Sequence, residues 1–155
     1  MARLLIVHHT PSPAVRALLE AAVAGARQPD GPQIQVEPAL SATASDLLAA
    51  DAVLLLTPAN IGYMSGALKH FFDTVYYPCL DATRRLPWTL IVHGNDDTAG
   101  AVRSVEKIAR ALMWQQAAPV LEVVGAPGKA ALQSAGELGA VLAVMALERA
   151  TTGSG

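Results

Sequence analysis

Three segments of this chain place hydroxyls, amides, imidazoles and glycines directly behind apolar runs. In open α/β sheets ligands bind outside the carboxyl ends of strands, so these are the segments that could do chemistry. The first is His8-His9-Thr10-Pro11-Ser12-Pro13-Ala14-Val15. Thr10 and Ser12 offer hydroxyls where a helical pattern begins, and free N–H groups at a helix N-terminus attract an anion such as phosphate. Ser12 serves equally as a plain helix cap. The second is Pro58-Ala59-Asn60-Ile61-Gly62-Tyr63-Met64-Ser65-Gly66. Gly62 and Gly66 let a flat ligand approach the backbone. Tyr63 suits stacking on a ring or standing in solvent; Met64 suits a pocket wall or packing beneath the loop; Ser65 suits a cap. The loop exceeds the ~2–6 residues of an ordinary strand-to-helix connection, which points to a working role. The third, His93-Gly94-Asn95-Asp96-Asp97-Thr98-Ala99-Gly100, offers backbone amides and Asn95 to a polar ring edge. Asp96 and Asp97 also suit the first turn of a helix.

Other chemistries fit less well. His8, His9 and His93 fall at neighbouring strand ends, but adjacent strand residues point to opposite sides. Spaced carboxylates or thiols that would complete a metal site do not accompany them, and no metal is expected. Neither Ser12 nor Ser65 lies in a G-x-S-x-G turn, so no side-chain catalyst is expected. The sequence has no P-loop, no G-x-G-x-x-G and no carboxylate pair after the first apolar run. Cys79, beside Pro78, reads as a packing residue. Tyr76, Tyr77 and Trp114 suit either the core or a homodimer surface.

The elements that must position these segments are legible. Apolar runs at 4–7, 53–56 and 90–92 lack alternation, as strands buried on both faces do. Residues 33–37 alternate strictly and suit an edge strand; residues 120–124 carry Glu122 and suit another. Helical stripes run through Val15, Leu18, Leu19, Ala22 and Val23; Leu68, Phe71, Phe72 and Val75; Val102, Val105, Ile108, Ala109 and Leu112; and Leu132, Ala135, Leu138, Leu142 and Met145. A short turn of helix is expected near residues 43–49. Strand–helix alternation predicts an α/β fold: a five-stranded parallel sheet, in strand order 2-1-3-4-5, with helices on both faces. That order gathers the three segments at one sheet edge.

The 155 residues suit one domain, expected over residues 1–150, with 151–155 as a disordered tail. Hydrophobic residues at 52% supply a core, and charged residues at only 15% argue against disorder. A net charge of −2 implies no nucleic-acid partner. The N-terminal apolar run is too short for a membrane span, and one cysteine fits a cytoplasmic setting.

The chain resembles the flavodoxin-like superfamily, in its NAD(P)H-dependent FMN reductase and flavodoxin branch. The residues that carry the likeness are Ala50-Asp51-Ala52 before the run ending in Thr57-Pro58, then Gly62, Met64-Ser65-Gly66-Ala67-Leu68-Lys69 and Phe72-Asp73. The resemblance implies a three-layer flavodoxin-like fold and an oxidoreductase that performs its chemistry on bound FMN. NADH or NADPH would be the reductant, and a small molecule or a protein the electron acceptor. It implies FMN contacts from His9, Thr10, Ser12, Pro13, Ala14 and Val15 around the phosphate. Pro58, Ala59, Asn60, Ile61, Gly62, Tyr63 and Met64 would contact the ring, and His93, Gly94, Asn95, Asp96, Asp97 and Gly100 its other edge. An electron carrier or flavin-storage protein without NAD(P)H turnover, or a flavin-free interaction domain, are the alternatives. Two departures stand out. Pro13 replaces a common glycine and Val15 a common hydroxyl, so a weaker hold on the phosphate is expected.

Overall fold

The computed structural model describes residues 1–153. Its strands are β1 (Arg3–His8), β2 (Gln33–Pro38), β3 (Ala52–Asn60), β4 (Tyr63–Met64), β5 (Pro87–Gly94), β6 (Gln115–Gln116) and β7 (Leu121–Val124). The helices are α1 (Pro13–Ala26), α2 (Ala44–Leu48), α3 (Gly66–Cys79), α4 (Ala99–Ala111) and α5 (Lys129–Gly153). The parallel sheet runs β2-β1-β3-β5, with β6 and β7 sharing the position beyond β5. The strand order expected from the sequence is therefore the observed one. Two differences enlarge the sheet to seven strands. The edge strand is split, because Pro119 has no N–H for a ladder and Thr89 Oγ1 instead donates to the carbonyl of Ala118 at 2.9 Å. And β4 pairs antiparallel with the end of β3.

The unalternating runs are buried on both sides because each strand feeds two cores. Leu5, Val7, Val53, Leu55, Leu90 and Val92 pack with Leu68, Phe71, Phe72 and Val105 of α3 and α4. Leu4, Ile6, Leu54, Leu56 and Ile91 pack with Leu18, Ala22 and Leu142 of α1 and α5. Trp114 belongs to the first core, its indole donating to Thr83 Oγ1 at 2.9 Å, whereas Tyr77 is exposed. Cys79 is buried, and that burial pushes its thiol pKa up, consistent with packing.

Helix α5 is long and apolar enough to cross a membrane by length and composition, yet one face packs along α1 and the sheet. It continues through Gly153, taking in three of the five residues expected to form a tail; the other two lie outside the described residues.

Candidate functional site

The turns after β1, β3 and β5 meet at the carboxyl edge of the sheet and enclose a cleft of about 420 Å³. Of the residues singled out in the sequence, Ser12, Pro13, Ala14, Pro58, Ala59, Asn60, His93, Gly94 and Asn95 line it, together with Pro11. A fourth turn, after β7, contributes Gly125 and Ala126. Sequence reasoning missed it, although the Gly125-Ala126-Pro127-Gly128 turn signal was there to read. A hollow of about 440 Å³ at the opposite end of the sheet, bordered by Arg84, Arg85, Pro87 and Glu148, shares no element end with these turns.

The second segment is a hairpin, not an open loop. Asn60 pairs with Tyr63 and Ala59 with Met64, and the turn between them has φ of 50° at Ile61 and 71° at Gly62. Two left-handed residues in a row make the tight turn whose twist matches the strands. The hairpin is anchored at its base. The Ser65 N–H donates to Thr57 Oγ1 at 3.0 Å, and the Met64 N–H to Ser104 Oγ at 3.1 Å. Ser65 Oγ accepts the Leu68 N–H and caps α3. Met64 is buried in the core, and neither it nor Ile61, Gly62 and Tyr63 is among the residues lining the cleft.

Ile61 is fully exposed, yet holds a β-branched side chain in left-handed backbone. Replacing it with Asn, which tolerates that conformation, is expected to raise stability by about 1 kcal/mol. An unchanged urea midpoint for Ile61→Asn would show that the turn is unstrained.

The first segment opens α1. Ser12 is its cap, the Val15 N–H donating to Ser12 Oγ at 3.4 Å, and Pro13 fills the first helical position. Val15 itself is a core residue and faces away from the cleft. Thr10 and His9 do not line it: Thr10 Oγ1 lies 2.7 Å from His8 Nδ1, and the His9 N–H donates to the Leu56 carbonyl at 3.1 Å.

In the third segment, His93 Nε2 lies 2.8 Å from the Gly125 carbonyl and ties the β5 turn to the β7 turn. The Gly125 N–H returns a bond to the Gly94 carbonyl at 2.9 Å. Asp96 and Asp97 are exposed and precede α4 instead of lying in its first turn; Thr98 is the N-cap, and Asp97 Oδ1 accepts the Ala99 N–H at 2.9 Å. Gly100 lies under the hairpin tip: a Cβ there would fall 2.1 Å from the Gly62 carbonyl oxygen. Among the described residues no cluster of three or more His, Cys, Asp or Glu side chains could hold a metal.

No protein-family model matches the chain. Over 75 residues it is 31% identical to a flavodoxin of Aquifex aeolicus strain VF5, a match spanning 48% of this chain and 40% of that protein. A flavodoxin structure from the domain Archaea superposes with a TM-score of 0.81 at 18% identity, covering 94% of this chain and 99% of that one. The flavodoxin, WrbA-like protein from Agrobacterium tumefaciens superposes with a TM-score of 0.78 at 16% identity, covering 96% and 99%.

The chain has the flavodoxin-like fold. His8, at the end of β1, borders the first turn beside His9. Burial, then the charges of His9 and Arg16, lower the pKa of His8 below its ordinary 6.5, against a smaller pull upward from Glu37. The folded chain therefore binds fewer protons at His8 than the unfolded chain does just below that value. His8 adds stability that is complete above about pH 6.5 and is lost as pH falls through the lowered folded value. Urea midpoints should fall on acidification, and His8→Asn should flatten part of that slope. An identical slope in the variant would remove His8 as the cause.

Proposed function

We propose that the cleft holds a flavin, with FMN as the reference ligand, and that the protein is a flavodoxin-like oxidoreductase. The observation that carries this reading is the meeting of four strand-end turns in one cleft with no Asp, Glu, Lys or Arg among its lining residues. A pocket walled by small and apolar groups, with a few polar ones for orientation, suits a neutral planar heterocycle. A bound flavin supplies the electron or hydride chemistry; the protein supplies position and field. Pro58 and Ala59 would form one wall. Asn60, Asn95 and the peptide groups of the hairpin and the Gly94 turn would meet the polar edge of the ring. Fixed peptide dipoles favour negative charge developing there. The His93 imidazole, tied to Gly125, acts as a strut between turns; no side-chain acid or base is assigned.

Two modes of use are open to the same site. Likeness to flavodoxins favours an electron carrier serving a protein partner. The small net charge of −2 favours a reductase that draws on NADH or NADPH and serves a small molecule, since charge-steered docking relies on a larger field. One cysteine and this charge also support a cytoplasmic setting without nucleic acid.

The test is to incubate purified protein with FMN, remove free ligand and record the visible flavin band. Colour retained, then bleached rapidly by anaerobic NADH or NADPH, supports the reductase. Colour retained but untouched by either supports the carrier. A protein that takes up no flavin of any kind sinks both.

A further inference from the structure

We propose that the cleft recognises flavins by the ring and gives the terminal phosphate little purchase, so that riboflavin and FMN bind with similar strength. This rests on the flavin reading above and narrows its ligand class.

The cleft has twelve lining residues, and none is Asp, Glu, Lys or Arg. A phosphate arm would have to find its donors at the N-terminus of α1, which borders the cleft through Ser12, Pro13 and Ala14. Anion-binding turns are built from successive backbone N–H groups aimed at one point. Here Pro11 and Pro13 have none, so the amides of Thr10, Ser12 and Ala14 alternate with gaps. The next two amides are engaged: Val15 N–H with Ser12 Oγ, and Arg16 N–H with the Ser12 carbonyl at 3.0 Å. Two hydroxyls remain. Ser12 Oγ accepts as the helix cap and keeps its O–H for a single bond, and Thr10 Oγ1 is paired with His8 Nδ1. Arg16 is exposed one turn into the helix, and its attraction for an anion is screened by water and salt.

The ring side of the cleft is provided for. Pro58, Ala59, Gly94 and Gly125 give small, close walls, and Asn60 and Asn95 offer amides. The affinity is thus placed on the part of the ligand that FMN and riboflavin share.

Fluorescence-quenching titrations of the purified full-length protein with FMN and with riboflavin test this directly. Dissociation constants within about tenfold of each other are expected, with FMN binding little weakened by added salt. Riboflavin binding about a hundredfold weaker than FMN, or not at all while FMN binds, overturns the proposal and leaves the flavin reading intact. Failure of both flavins removes the flavin reading and the proposal together. Pro13→Ala is the second arm. It restores an N–H beside that of Ala14 at the helix start. FMN should bind about tenfold tighter to this variant while riboflavin is unchanged. No gain for FMN, or an equal gain for both ligands, shows that the prolines do not withhold the phosphate site and overturns the proposal.

Discussion

Gly139→Val is expected to destabilise the protein by about 3 kcal/mol, the upper range for forcing atoms into a packed interface. Helices α1 and α5 meet through backbone. A Cβ on Gly139 would fall 2.1 Å from the Ala22 carbonyl oxygen and 3.1 Å from the Ala26 amide nitrogen. Neither atom belongs to a side chain that can rotate away, so α5 must back off from α1. Retreat opens the core in which Leu18, Ala22, Leu142 and Ala146 are fully buried. Intrinsic propensity argues the other way, since alanine in a helix interior gains about 1 kcal/mol over glycine. Gly139→Ala therefore tests the sign of the effect. Gly136, three residues earlier, supplies the control. Its Cβ would meet only the Ala21 carbonyl oxygen, at an ordinary 3.4 Å. Gly136→Ala should be neutral or gain up to about 1 kcal/mol. Urea unfolding followed by circular dichroism reads all three variants. Equal stability for Gly139→Ala and Gly136→Ala would contradict the close approach.

Gly100→Val is expected to act on the site as well as the fold. The new side chain would collide with the Gly62 carbonyl, 2.1 Å from its Cβ, and lift the hairpin tip from the first turn of α4. The stability cost should be about 1–3 kcal/mol. Ala59 and Asn60 belong to the same hairpin and line the cleft, so flavin affinity should drop at least about tenfold, a loss of about 1.4 kcal/mol. Thermal unfolding and flavin titration measure the two effects separately. A destabilised variant that binds flavin normally would show that the ligand does not use the hairpin.

The sequence announced the central strands because residues 4–7, 53–56 and 90–92 serve two cores at once and have no polar face to alternate with. It was silent about β6, whose two residues are both Gln and carry no apolar signal. The hairpin was hidden for a different reason. Its turn places Ile61 where Asn or Asp would have advertised the geometry, so only Gly62 showed. Val15 and Met64 were drawn into the candidate site by sitting inside the right segments. Their apolar side chains instead follow the helical stripe and the buried face of β4, and both end in the cores. Gly125 and Ala126 escaped notice because the strand before them is a weak edge, with Glu122 in its middle. Polar strand ends were thus readable where a strong apolar run pointed at them, and unreadable where the strand itself was faint.

The broken strand beside β5 has a consequence for how these molecules behave in a crowd. Open margins of sheets invite strands from neighbouring molecules, and short, interrupted or polar margins discourage recruitment. One margin here is two residues of β6 and four of β7, parted at Pro119. The other is β2, where Gln33, Gln35 and Glu37 alternate and Pro38 ends the run. Among the described residues neither margin offers a long apolar template on which a fibril could grow, which guards a chain with a hydrophobic share of 52% against edge-to-edge pairing.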